Sequence, residues 1–346
     1  MSKKRDIAIL LALLIMVFAL TACGDNGDDN DIPVEETTPD VVETTPEPEV
    51  PQDEPEPEQD PAPEAPASTR PDTDREGYPL TLPDEINTIV TIGPATTEII
   101  VGLGFADRII STDSFSFDVE GLPDGVAAEF GIMDLNAEYI VNLMPDVIII
   151  AGMARGGGGD DPLAPVSAAG ITVVYMPTSE SIADIKEDIR FLAAVMEVED
   201  VGESLISNMQ AEIDAVAAIA AGITETRTVY FEISPAPWMF SFGTGTFLNE
   251  MLELVGATNI FADQYSWLSV TDEILLELNP DVILTSTDFL PDPIGEIMER
   301  PGFDAITAVQ NGDVFAIDTN SSSRPTHNIT RALWEIAEAV FPEYFR

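Results

Sequence analysis

Short runs of β-branched and aliphatic residues alternate with amphipathic stretches from residue 79 onward, an alternation that predicts parallel strands linked by helices. Thr88–Ile92, Arg108–Thr112, Val147–Ile150 and Ile171–Tyr175 have the near-continuous apolar character of strands buried on both faces. Helical spacing near Thr96–Leu103 and Asn136–Leu143 falls between them. A long helical region rich in Ala, Glu and Ile follows, over Ser181–Met196 and then about Val201–Ala221. The alternation then resumes with strand Thr228–Ile233, helices Thr246–Val255 and Thr271–Leu278, strands Val282–Thr285 and Val314–Ile317, and a last helix from about Thr326 to Val340. Two α/β lobes joined by a helical stretch account for this order.

An internal repeat supports the division. Asp134-Leu-Asn-Ala-Glu138-Tyr-Ile-Val-Asn-Leu-Met-Pro145-Asp146-Val-Ile148 matches Ser269-Val-Thr-Asp-Glu273-Ile-Leu-Leu-Glu-Leu-Asn-Pro280-Asp281-Val-Ile283 at a constant offset of 135. Each copy reads as a helix stopped by Pro-Asp that then feeds a buried strand. Each also places one glutamate, Glu138 or Glu273, in the first turn of its helix. Such a residue favours a helix N-terminus electrostatically, and the repeat alone leaves open whether it does anything more.

The chain before residue 79 has a different character. Lys3-Lys4-Arg5 precedes a fourteen-residue apolar run, Ile7–Leu20, too short for an ordinary membrane span and suited to an export signal. Leu20-Thr21-Ala22-Cys23-Gly24 then has the form of a bacterial lipobox, in which Cys23 is acylated and becomes the mature N-terminus. That role makes the single cysteine an anchor. Residues 24–78 hold 19 Asp and Glu against 2 Arg, with recurrent Pro, too little apolar surface to offset ordering entropy. They are expected to form a disordered, self-repelling tether. The organisation read from sequence is therefore signal peptide 1–23, tether 24–78, N-terminal lobe 79–180, connecting helices 181–225 and C-terminal lobe 226–346.

Charge narrows the function classes. The chain carries 63 Asp and Glu against 14 Lys and Arg, net −49, so polyanions are repelled and nucleic acid is not an expected partner. Residues 79–346 alone are net −34, which fits an extracytoplasmic surface. One histidine cannot supply the ligand set of most zinc sites, and a hydrolase requiring a histidine base would have to use His327. The Gly156-Gly157-Gly158-Gly159 run lacks the strand-to-helix setting and Lys-Ser/Thr of a phosphate cradle and reads as a flexible loop. An enzyme on such a fold and a surface structural or adhesion lipoprotein remain the competing classes.

Several further segments fall in a recognisable order. They are Ile92-Gly-Pro94-Ala-Thr-Thr-Glu98 with Leu103-Gly104-Phe-Ala-Asp107-Arg108-Ile109, the two Glu to Pro-Asp blocks, and Gly243-Thr-Gly245-Thr-Phe247 with Gly256-Ala-Thr-Asn259-Ile260. Arg300-Pro-Gly302-Phe303, Asn311-Gly312-Asp313-Val314 and Arg324-Pro325-Thr326-His327 to Pro342-Glu343 follow. In these segments the chain resembles the class III solute-binding proteins of ABC importers, the group that carries vitamin B12, ferric siderophores and haem. The resemblance covers nearly all of residues 84–342.

What the resemblance implies is an α/β fold of two Rossmann-like lobes joined by a long rigid helix, with a ligand cleft between them. It implies a lipid-anchored, monomeric, non-enzymatic receptor on the outer face of the cell membrane, of the Gram-positive type, that delivers its ligand to an ABC permease and its ATPase. Phe115, Trp267 and Arg324 match cleft-facing positions of the family, and Trp238, Met133, Tyr265 and His327 are adjacent candidates. Core packing is the competing role for Phe115 and Trp267, a loop contact for Met133, and a cap or surface role for Arg324 and His327. Glu138 and Glu273 are the candidate permease-docking acids, and contact with the membrane is expected through the lipid anchor only. No intrinsic cofactor is expected; the ligand is expected to be a small-molecule metal complex, a ferric chelate or corrinoid. With only Arg324 and Arg155 placed to help, a neutral or cationic complex is favoured over an anionic catecholate. His327 is the candidate for axial contact with a ligand metal.

Overall fold

The computed structural model describes residues 70–152 and 161–345. Cys23, the tether as far as residue 69, Arg155 and the glycine run lie outside the described residues. Among the described residues no helix is long and apolar enough to cross a membrane.

The N-terminal sheet is fully parallel, in the order β3-β2-β1-β4-β5. Its strands are β1 Ile89–Ile92, β2 Ile109–Asp113, β3 Ala127–Phe130, β4 Val147–Ala151 and β5 Thr172–Met176. Helices α1 Pro94–Gly102, α2 Ala137–Leu143 and α3 Ala164–Ala168 connect them. Two longer helices follow, α4 Ile182–Val195 and α5 Glu199–Ala220; at 22 residues the second is about 33 Å long. They approach closely where Gly202 meets α4: a Cβ on Gly202 would lie 2.5 Å from Ala193 Cβ.

The C-terminal lobe contains β6 Thr228–Glu232, β7 Phe240–Phe242, α6 Phe247–Leu254, β8 Thr258–Asn259, β9 Trp267–Ser269, α7 Asp272–Leu278 and β10 Val282–Thr285. It ends with α8 Pro293–Met298, α9 Thr307–Asn311, β11 Val314–Ala316, α10 Thr319–Ser323 and α11 Ile329–Val340. Its main sheet, β11-β10-β6-β8, is parallel, and β7 and β9 form a separate antiparallel ribbon. With β6 standing for β1 and β10 for β4, the two main sheets share one order.

The strands alternate between two cores. Ile89, Val147, Ile149 and Val174 face one apolar cluster, whereas Val90, Ile92, Ile148 and Ile150 face another. Val229, Phe231, Val282 and Leu284 of the second sheet belong to the same cluster as the first group, together with Ile189 and Leu192 of α4, Ile213 of α5 and Ile336 of α11. One continuous core therefore runs from sheet to sheet through the connecting helices, the packing expected of a stiff link.

The sequence repeat has a structural counterpart. Asp146 Oδ2 accepts from the Asn87 and Thr88 amides at 2.8 Å and from the Thr88 hydroxyl at 3.0 Å. Asp281 Oδ2 accepts from the Thr228 amide at 2.8 Å and the Thr228 hydroxyl at 2.7 Å. Each Pro-Asp aspartate thus clamps the start of the neighbouring central strand. The amide of Asn87, with those groups of Thr88, holds the Asp146 carboxyl below its ordinary range against the opposing effect of burial.

Two sequence expectations need adjustment. Residues 70–78, assigned to the tether, lie on the domain instead. Arg70 donates to the Val195 and Pro83 carbonyls, Arg75 pairs with buried Asp188 at 2.8 Å, and Asp74 accepts from the Tyr175 amide on edge strand β5. Arg70 and Arg75 are the two bases of that acidic segment, so its charged partners dock its end and cover the sheet edge. The last helix begins at Ile329 rather than Thr326; the Thr326 hydroxyl donates to Glu98 and accepts from the Asn328 backbone amide, which holds residues 326–328 in a turn ahead of it.

Candidate functional site

In parallel α/β sheets, sites form outside the carboxyl ends of the strands, where winding reverses. Here that region lies beyond β1 and β4 in one lobe and beyond β6 and β10 in the other. Gly93 follows β1 with φ 113°, and a Cβ there would lie 2.7 Å from Ala151 Cβ, so the turn into α1 requires glycine. The Gly93 amide donates to Asp113 Oδ2 at 2.7 Å; Asp113 also accepts from the Phe115 amide and the Ser116 hydroxyl. These bonds fix the loop after β2, which carries Phe115, Phe117 and Asp118.

Arg324 ties that loop to the C-terminal lobe. Its Nη1 lies 3.2 Å from Glu98 Oε1, and its Nη2 lies 2.6 Å from Asp118 Oδ1 and 3.5 Å from the Phe115 carbonyl. Glu98 is buried, and its other oxygen accepts from the Thr326 hydroxyl at 2.6 Å and from Asn328 Nδ2 at 3.2 Å. Asn320 Nδ2 donates to Asp118 Oδ2 at 3.3 Å. Segment 320–328 is therefore stapled to α1 and the β2 loop through one buried and one exposed carboxylate.

The other predicted residues take varied positions. Trp267 is half-buried, edge-on to Phe242 at 6.2 Å and packed on the main core. Tyr265 is 71% exposed and lies over Gly245, where a Cβ would meet its ring at 2.3 Å. Trp238 is 60% exposed and lies at the opposite end of the β7-β9 ribbon from Tyr265, as the pairing of Thr244 with Tyr265 and of Phe240 with Ser269 requires. Met133 is exposed between β3 and α2. Glu138 and Glu273 are both exposed, each in the first turn of its helix. The structure brings Arg324 to the Phe115 carbonyl; Trp267, Tyr265, Trp238 and Met133 are held by other contacts or stand exposed. A hollow of about 510 Å³ lined by Ser114, Ala128, Phe130, Gly131, Asp134, Leu135, Asn136 and Ala137 opens within the N-terminal lobe alone.

His327 is half-buried. It packs on α1, where a Cβ on Gly102 would lie 2.6 Å from His327 Cε1 and 3.0 Å from Nε2, while Nδ1 is buried without a hydrogen-bond partner. Axial contact would require the ring to swing out of this packing. Burial lowers its pKa against the opposing influence of Glu98. Below the ordinary value of 6.5, the unfolded chain therefore takes up a proton that the folded chain refuses, and stability falls with pH until the folded-state value is reached. His327→Gln removes this term. The stability of the natural chain relative to that variant, from denaturant melts, should decline as pH falls from 7 to 5.5; a constant difference would contradict the burial argument.

Glu98, Asp118, Asn320 and Phe117 were not among the residues singled out from sequence. Glu98 stands in a recognised segment, but its partner Arg324 is 226 residues away, and no local pattern pairs them.

Residues 89–320 match the profile of the periplasmic binding protein family. The chain is 27% identical, over 99% of both chains, to the uncharacterized ABC transporter substrate-binding lipoprotein YvrC of Bacillus subtilis. It is 26% identical to a cobalamin-binding protein of Halobacterium salinarum over 80% of this chain and 78% of that one. A crystal structure of a possible iron-binding (periplasmic solute-binding) protein from Staphylococcus epidermidis superposes with a TM-score of 0.66 at 26% identity, over 75% of this chain and all of that one.

Proposed function

Because the chain belongs to the periplasmic binding protein family, whose members bind substrates for ABC transporters, we propose that it is the extracytoplasmic, lipid-anchored receptor of an importer for a metal chelate. A corrinoid or a ferric trihydroxamate is the foremost cargo. The lipobox at Cys23 supports the anchor, as does similarity over nearly its whole length to a protein named as a lipoprotein. The cargo class draws on the cobalamin-binding and iron-binding relatives.

The observation that carries the reading is a set of aromatic rings left exposed on loops between the elements. Phe117 is 66% exposed, Trp238 60% and Tyr265 71%, on loops of both lobes. Rings held open to water in this way suit contact with a large, partly apolar ligand. In thermal melts of the full chain, cyanocobalamin or a ferric trihydroxamate at 100 times its Kd should contribute about 2.7 kcal/mol. That corresponds to a rise in Tm of about 5 °C or more. A structural lipoprotein would show no rise with any chelate.

A further inference from the structure

Arg324 is half locked and half free to exchange. Its inner arm serves Glu98, a buried carboxylate whose remaining oxygen already holds two donors; breaking that bond would leave a buried charge poorly compensated. The outer arm serves Asp118, whose side chain is 40% exposed. One guanidinium thus faces two carboxylates, and the cluster carries a net negative charge where the β2 loop meets the segment before α11. Other described bases are committed elsewhere: Arg75 to Asp188, Arg190 to Glu187 and Glu203, Arg227 to Asp313, Arg300 to Glu232, and Arg331 to Asp318, while Arg70 donates to the Pro83 and Val195 carbonyls, Arg108 to the Ile86 carbonyl and Lys186 to Gln210.

We propose that Asp118 acts as a charge filter for the cleft: it occupies the outward arm of Arg324, so that neutral and cationic chelates are admitted and anionic ones refused. The inference rests on the receptor reading above, since it concerns the same cleft. An anionic oxygen approaching Nη2 finds the donor taken and a second negative charge beside it; rejection of like charge of this kind is a common source of specificity. The filter is electrostatic, because the side chain of Asp118 reaches water and can turn aside. Phe117, on the same loop, offers apolar surface whatever the charge of the ligand.

The test uses the full chain, its Asp118→Asn variant and, against a failure of that variant to fold, Asp118→Ser. Titration with two probes, neutral cyanocobalamin and a trianionic ferric tricatecholate, gives an affinity ratio for each protein. The proposal expects the ratio to move toward the tricatecholate by about 10-fold or more. It expects Arg324→Gln in the Asp118→Asn background to abolish that gain. Inorganic sulfate, compared with chloride at equal ionic strength, should raise the Tm of Asp118→Asn more than that of the natural chain. An unchanged ratio with intact cyanocobalamin binding overturns the filter and leaves the receptor reading standing. If the natural chain binds neither probe, the receptor reading is decided by the melts with a ferric trihydroxamate described above, and the sulfate comparison decides whether Asp118 blocks the guanidinium. Equal sulfate responses would then overturn the filter as well.

Discussion

In cells that depend on this importer, replacing Glu138 and Glu273 together with lysine should abolish chelate uptake while the purified receptor still binds its ligand and melts within about 3 °C of the natural chain. The two glutamates occupy equivalent places in the repeat, and both are exposed. A receptor with one acid on each lobe can meet two equivalent basic pockets on a permease built from two equivalent subunits. Exposed apolar side chains accompany them: Met144 at the end of α2, and Ile274, Leu276 and Leu278 along α7. Such residues exclude water from around an ion pair once a partner covers them. The backbone amide of Glu273 and the Thr271 hydroxyl hold its carboxyl below the ordinary range, so it stays charged in mildly acidic surroundings. Reversal turns attraction into repulsion at both contacts, and uptake should fall by about 30-fold or more in the double variant, with partial loss in each single one. Normal uptake, or loss of ligand binding, would assign the two acids to the fold instead.

The largest effect on stability should come from Arg300→Met. Arg300 and Glu232 are both buried and form a two-pronged pair at 2.8 and 3.2 Å, with Glu296 completing the cluster and Met239 Sδ 3.0 Å from Nη1. Removing the guanidinium leaves Glu232 buried without its partner, which costs about 3–5 kcal/mol, or a fall in Tm of roughly 6 °C or more. Burial already raises the Glu232 pKa, with Arg300 opposing. Without Arg300 the folded chain binds that proton more tightly than the unfolded chain. The deficit should therefore shrink as pH falls toward the ordinary glutamate value of 4.5. Adding Glu232→Gln should recover part of the loss. A variant that melts with the natural chain at pH 7 would show that water reaches Glu232.

The fold was legible where apolar runs were long. The strands at 147–151 and 282–285 and the helices at 182–195 and 199–220 lie close to where periodicity put them, because each buries a regular face. Strand Ala127–Phe130 was not visible, since Ala-Ala-Glu-Phe lacks β-branched residues. Helix Thr319–Ser323 is built from Thr, Asn and Ser, poor helix formers, and depends on the Asp318 side chain, which accepts from the Ser321 amide and hydroxyl. The candidate site was legible in part. Arg324 and the aromatics stood out as residue types in recognised segments, but what Arg324 does is set by Glu98 and Asp118, which only the fold brings to it. The same holds for His327, whose packing on Gly102 no spacing announces.

Native mass spectrometry of the full chain purified from its own host tests the central claim most directly. The receptor reading predicts one metal-containing small molecule retained per lipidated polypeptide and released on denaturation. A mass equal to that of the lipidated polypeptide alone, with no rise in Tm on adding a corrinoid, a ferric trihydroxamate or haem, would contradict it.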